Sequence, residues 1–230
     1  MIKQEEFLMN LSQLRQEIAD ACRKCHRNPD DISLLPVTKN WPVEAVSYCQ
    51  SAGLSRVGEN RVQEARLKQE QIKGMSWELI GHLQSNKVNQ VVGHFARIQT
   101  LDSLKLIRKV HTASERIDQK TTVLLQVNTG KDPAKYGFSI EEAPSALDEI
   151  LGSSHLHVDG LMTIAPYAPD DLSVASDCFK KLSDLRDSLS QSHGIKLAEL
   201  SMGMSGDLRE AIFSGSTMIR VGSALFGSRN

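Results

Sequence analysis

The chain has 230 residues, 24% of them charged, with 27 Lys plus Arg against 28 Asp plus Glu and a formal net charge of -1. So even a balance gives no field that would gather nucleic acid or an anionic membrane, and neither is expected as a partner. The length supplies one sizeable core, so a single domain over 1–230 is expected, with 1–27 carrying an added N-terminal helix.

The opening Met1-Ile2-Lys3-Gln4-Glu5-Glu6 is acidic where a signal peptide is basic and then apolar, and no later apolar run is long enough to span a bilayer. A soluble, cytoplasmic protein is expected. Glu5 to about Lys24 reads as an amphipathic helix with Phe7, Leu8, Leu11, Leu14, Ile18 and Ala21 on one face, packed on the bottom or flank of the rest of the domain.

From there strand and helix patterns alternate. Ile32–Lys39 is an apolar, β-branched strand, and Pro42 opens the helix carrying Val43, Ala45 and Val46. Ser55–Glu59 is a strand, Arg61–Lys73 a charged helix, Trp77–Gly81 a strand and Asn86–Phe95 its helix. Arg97–Leu101 is a fourth strand, with Asp102 or Ser103 able to cap the helix Leu104–Ile117.

Thr122–Val127 is the clearest strand. Ser139-Ile-Glu-Glu142 has the form of a capping box, and His157–Thr163 is a sixth strand. A long helix from Leu172 to Ser192 ends at Gly194, and Glu199–Met202, the short helix Asp207–Ser214 and Met218–Gly222 complete the series. Eight strands alternating with helices through short connections point to a closed, parallel (β/α)8 barrel, with an open doubly wound sheet as the alternative.

In such a barrel chemistry sits at the C-terminal ends of the strands. There the chain places Thr38-Lys39-Asn40, Gly58-Glu59-Asn60, Gly81 to Lys87, Asp102, Gln126, Asn128, Met162-Thr163, Ser201 to Ser205 and Arg220 to Ser223. The Gly-containing loop from Ser201 into the helix at Asp207 can aim backbone N–H groups and the Ser205 hydroxyl at an anion, with the helix dipole behind them. Gly222-Ser223 ends the eighth strand, and barrels often build phosphate sites from the loops after strands seven and eight.

Most strand-end lysines are simply solvated, but Lys39 shares a mouth with these loops. Partial desolvation and nearby Arg220 would lower its pKa and free its amine for an imine. A lysine beside a phosphate cradle is what pyridoxal phosphate (PLP) requires. Arg220, two residues before Gly222, is spaced to face the pyridine nitrogen of such a cofactor. It stays protonated and donates without giving up its proton, which makes a poor electron sink. The alternative for Arg220 is a salt bridge across the barrel.

Five motifs then occur in order: Val37-Thr38-Lys39; Val57-Gly58-Glu59-Asn60 with Gln63-Glu64; Ile80-Gly81-His82-Leu83-Gln84-Ser85-Asn86-Lys87; Leu200 to Ser205 with Asp207; and Gly215 to Gly227. Together they closely resemble the pyridoxal phosphate homeostasis protein family, also called the proline-synthase co-transcribed or YggS-like family, over nearly the whole chain. The resemblance implies an alanine racemase N-terminal type barrel holding PLP as a Schiff base on Lys39. Ser205, Gly222 and Ser223 would hold the phosphate, Arg220 would face the pyridine nitrogen, and Asn60 and Met204 would line the pocket. It implies buffering or delivery of the cofactor, with PLP-dependent apoenzymes as recipients and effects on amino-acid and keto-acid balance. Thr38 stands where the family often has Ser, and Arg61 where it often has Tyr. Trp41 would either replace that aromatic wall or pack the first helix.

The rival is a PLP-dependent amino-acid racemase. Racemisation needs a base on each face of the carbanion, and Lys39 supplies one. In racemases with this barrel the opposing tyrosine comes from an added β-domain, for which the chain to Asn230 has no residues. Tyr136 and Tyr167 lie near strand-end loops as possible substitutes, and Tyr48 is the remaining tyrosine. No catalytic residue is therefore assigned, and the absence of a dimer-forming domain leads to the expectation of a monomer.

Cys22-Arg-Lys-Cys25-His26 matches C-x-x-C-H, yet it ends an amphipathic helix in a chain with no export signal, so haem attachment is set aside. The four cysteines, Cys22, Cys25, Cys49 and Cys178, are read as free structural thiols. His155 and His157 are spaced for one face of a strand but have no evident third ligand, so no metal is expected. Ser205 lacks the Asp and His that would make it a nucleophile.

Overall fold

The computed structural model describes residues 2–227. Met1 and residues 228–230, the ends of the expected 1–230 domain, lie outside the described residues. The elements follow the anticipated alternation: α1 Gln4–Lys24, β1 Ser33–Pro36, α2 Val43–Ser51, β2 Arg56–Glu59, α3 Val62–Gln71, β3 Ser76–Leu79, β4 Arg97–Leu101 and α4 Leu104–Arg116. Next come β5 Thr121–Gln126, α5 Ala143–Leu151, β6 Leu156–Met162, α6 Leu172–His193, β7 Glu199–Ser201, α7 Leu208–Phe213, β8 Met218–Val221 and α8 Ser223–Phe226.

All eight strands are parallel and run in the order β1-β8-β7-β6-β5-β4-β3-β2. The seam between β1 and β2 is closed by one parallel bridge, Val37 to Gly58, and by the Thr38 amide donating to the Gly58 carbonyl at 3.1 Å. This is a (β/α)8 barrel, not an open sheet, and the β1–β2 seam lies beside Lys39.

Three expectations change. Asn86–Phe95 is not an α-helix but a 3-10 turn over Ser85–Gln90 followed by turns. Its paired valines and Gly93, at φ +79°, are poor helix formers. A short helix, α8, follows β8 where no element was anticipated. The first strand stops at Pro36, so Lys39 stands in a turn just beyond it.

Capping follows the sequence. Ser103 accepts from the Leu106 amide at the start of α4, and Gly194 ends α6 at φ +63°. Ser139 and Glu142 bond reciprocally at 2.9 and 3.1 Å, closing a turn immediately before α5.

Helix α1 packs on the flank, against α7 and α8. Phe7 stacks on Phe226 at 5.4 Å and lies 5.8 Å from Tyr48 of α2. Leu11, Leu14, Ile18 and Ala21 are buried with Phe7, while Leu8, placed on the same face from sequence, is exposed.

Inside the barrel a polar column runs beside a small apolar cluster of Leu35, Val37, Ile80 and Met218. At the floor, Arg97 pairs with Glu78, Asp159 and Glu199 at 2.9, 3.2 and 2.8 Å. Burial alone would push that guanidinium down, but Glu78 and Glu199 hold it above the ordinary arginine value. Gln99 donates to Glu78 at 2.6 Å and accepts from the Ser201 hydroxyl at 2.6 Å. Ser201 in turn accepts from Arg220 at 2.8 Å. The column thus runs through the barrel to Arg220 at its mouth.

Candidate functional site

Lys39, Asn60, Met204, Ser205, Arg220, Gly222 and Ser223, drawn from four strand ends, all line one cavity of about 300 Å3 at the C-terminal face. Val37, Ile80 and Ile164 give it an apolar wall. The volume is at the small end of ligand-binding cavities.

Lys39 is half-buried in a turn held by a network that sequence reasoning missed. The Lys68 ammonium, itself buried, donates to Glu59 at 2.6 Å, to Glu64 at 2.8 Å and to the Thr38 carbonyl at 2.7 Å. The Thr38 hydroxyl donates to Glu59 at 2.7 Å and the Asn40 amide to Glu64 at 2.6 Å. Both residues flanking Lys39 are therefore tied to one buried ion cluster, which supports Asn40 at φ +59°. Burial pushes the Glu59 carboxyl up against the opposing pull of Lys68. The legible signal was that Lys68 shares the Val62 and Ala65 stripe of α3 and so turns inward.

Asn60 sits just past β2, where Gly81 passes so closely that a Cβ there would collide with the Asn60 carbonyl. Gly203 likewise needs its φ of +96°, and a Cβ would meet that of Ala211 at 2.5 Å. This tight approach lets the Arg220 amide donate to the Gly203 carbonyl at 3.0 Å.

Arg220 is buried. Its Nη1 donates to Ser201 and its Nη2 to the Thr163 carbonyl, each at 2.8 Å. Among the described residues these partners are a hydroxyl and a carbonyl, not the carboxylate that the salt-bridge alternative called for. Burial pushes the guanidinium down to about 10, with the Asp207 charge opposing, so it stays protonated near neutral pH.

Ser205 accepts from the Ser223 hydroxyl at 3.1 Å and from the Ala224 amide at 3.3 Å. The loop chemistry differs from expectation in one respect. The Asp207 carboxylate takes up the Met204 amide at 2.6 Å and stands at the start of α7, so that terminus is already countered by an anion. The Ser223 hydroxyl and the Ala224 amide meet Ser205 instead where the loops after β7 and β8 come together.

Trp41 packs on Phe226 of α8 at 5.9 Å and is not among the cavity-lining residues, and Arg61 is exposed ahead of α3. Tyr48 packs on Phe7, and Tyr167 is exposed. Tyr136 stacks on His82 at 3.8 Å, and His82 Nδ1 lies 2.6 Å from Asp102.

The alanine racemase N-terminal domain model matches residues 9–230. The chain is 36% identical to the pyridoxal phosphate homeostasis protein of Haemophilus influenzae, over 96% of this chain and 95% of that one. It is also 36% identical to the Aquifex aeolicus protein of that name, over 95% and 96%. The structure of PipY from Synechococcus elongatus, solved with PLP bound, matches at a TM-score of 0.80 and 32% identity, covering 91% of this chain and 100% of that one. Alanine racemase of Clostridium difficile matches in fold at a TM-score of 0.81 and 15% identity, covering 98% of this chain but 57% of that one. The chain therefore belongs to the alanine racemase N-terminal domain family and, within it, to the pyridoxal phosphate homeostasis proteins.

Proposed function

We propose that this protein binds PLP reversibly through Lys39 and buffers it or delivers it to PLP-dependent apoenzymes, without a turnover of its own. The observation that carries the reading is the cavity lining. It unites an amine, a guanidinium and a cluster of hydroxyl and amide donors, and among the described residues that line it there is no carboxylate, imidazole or phenol.

The donor set fits the cofactor. The Ser223 hydroxyl and the Ala224 amide both aim at Ser205 Oγ, at 3.1 and 3.3 Å, a cluster of donors that an anionic phosphate can engage. When bound, PLP supplies an aldehyde that condenses reversibly with a primary amine and a pyridine ring that can delocalise charge. Lys39 presents that amine. Arg220, fixed by Ser201 and Thr163, offers the ring nitrogen a donor that stays protonated, which withholds the full electron sink an acidic partner would create.

A racemase reading needs a proton acceptor opposite Lys39. The two tyrosines near strand-end loops are not among the cavity-lining residues: Tyr136 stacks on His82 at 3.8 Å, and Tyr167 is exposed. The same reading takes the chain as one cofactor-binding unit, monomeric and cytoplasmic. The described helices include none long and apolar enough to cross a membrane.

The test is a pair of measurements on the purified protein with added PLP. A visible absorbance band in the wild type that is lost in Lys39→Ala, together with no change in the optical rotation of L- or D-amino acids, is the expected result. Catalytic racemisation by the wild type would transfer the protein to the enzyme class.

A further inference from the structure

On the face opposite the cavity, at the N-terminal ends of the strands, helix α4 ends beside the turn that enters β6. His111 and Glu115, spaced i and i+4 on α4, present one face of that helix, and His155 precedes β6 by one residue. One ligand atom from each of His111, Glu115 and His155 lies within 4.8 Å of the others. The two imidazole rings are 6.0 Å apart, centre to centre, and inclined by 46°. His111 Nε2 is buried with no hydrogen-bond partner. An orphaned imidazole nitrogen costs free energy unless something fills its lone pair or takes its proton.

The surroundings supply what a cation needs next. Asp118, in the turn that closes α4, approaches His155 Nε2 at 3.4 Å, and the Ser154 hydroxyl lies 2.9 Å from His155 Nδ1. A carboxylate on the far nitrogen of a ligating histidine fixes the ring and raises its basicity, so with Asp118 on Nε2 the ligating atom is Nδ1, and the Ser154 hydroxyl rotates away from it when the cation binds. His157, paired with His155 in the sequence reading, is not part of the group, since it turns to Asp159 at 2.9 Å. Two of the three ligands therefore come from the neighbouring helix α4.

We infer that His111, Glu115 and His155 form a site for a divalent transition cation of the zinc type, separate from the PLP cavity. Two imidazoles and one carboxylate suit zinc, cobalt or nickel, with water completing the coordination, and disfavour calcium and magnesium, which prefer all-oxygen shells. A cation here would tie the end of α4 to the entry of β6, which is held to β5 at this point by the Thr121 amide donating to the His155 carbonyl at 3.0 Å.

The experiment is a calorimetric titration of tag-free protein with zinc chloride, run on the wild type, His111→Ala, His155→Ala, Glu115→Gln and the control His157→Ala. Cobalt absorption spectra of each accompany it. One zinc per chain is expected in the wild type and in His157→Ala, weakened by roughly tenfold or more in either of the first two variants. The cobalt spectrum should carry ligand-field bands without a thiolate charge-transfer band, which excludes Cys22 and Cys25 as the ligands. His111 is half-buried, so if His111→Ala fails to fold, His155→Ala, at a strand entry, decides the matter. Absence of zinc binding in the wild type, or binding that His155→Ala leaves unchanged, would overturn the assignment.

Discussion

Arg220 donates to the Ser201 hydroxyl at 2.8 Å, and that hydroxyl passes the contact on to Gln99 at 2.6 Å. A side chain at the cavity is thus oriented by one in the barrel interior. Replacing Ser201 by Ala leaves a buried guanidinium N–H and a buried amide oxygen each short of a partner, at a cost of about 1–3 kcal/mol. For a chain of this length that lowers Tm by about 2–4 °C per kcal/mol, measurable by thermal unfolding. PLP affinity should fall with it, because Arg220 loses one of its two anchors.

Lys68→Met removes the cation from a buried cluster and strands Glu59, whose Oε2 already has no partner. Breaking such a pair from one side costs about 3–5 kcal/mol. Urea unfolding should register that loss, and the double variant Glu59→Leu/Lys68→Met should recover part of it. In the single variant the Thr38 carbonyl also loses its donor. The turn carrying Lys39 should loosen, and the absorbance titration with PLP should shift to higher concentration.

Gly81→Ala tests how Asn60 reaches the cavity. The added Cβ collides with the Asn60 backbone, which cannot give way as a flexible side chain would. Overpacking of this kind costs about 1–3 kcal/mol. The expected signature is a larger loss in PLP affinity than in Gly53→Ala, where a Cβ meets nothing within 4 Å although its φ of +76° is also strained.

Asp207 carries a pH dependence of known sign. Burial raises its carboxyl above the ordinary value of 3.8. A group raised on folding contributes stability that is fully present below its unfolded pKa and is lost as pH rises through the folded value. Asp207→Asn should therefore gain on the wild type as pH rises from about 4 towards neutrality, in paired thermal melts across that range. A difference that stays flat with pH would contradict the account.

The order and parallel character of the strands were legible because each β pattern is bounded by a cap or a glycine and followed by a helical period. Lys39, Ser205, Arg220, Gly222 and Ser223 could be named because each lies at or just past a strand end, and the barrel brings strand ends together; Asn60 and Met204 came from the resemblance of the motifs to a known family. The helix expected over Asn86–Phe95 failed on its valines and Gly93, whose local preference outweighed a weak amphipathic pattern. Three other features depend on neighbours remote in sequence. Lys68 reaches a carbonyl thirty residues away. The polar column joins Arg97 to Glu199 over a separation of 102 residues. His111 and Glu115 meet His155 only because α4 and β6 pack side by side. Such pairings carry no local period, so a single sequence does not display them.

The central claim is that Lys39 is the cofactor's covalent tether. Borohydride reduction of the PLP-loaded protein, followed by proteolysis and mass measurement of the peptides, tests it most directly. The account predicts bleaching of the visible band and the mass of a reduced pyridoxyl phosphate group on the peptide bearing Lys39. The same mass on another lysine, or an unmodified Lys39 peptide from a bleached sample, would contradict it.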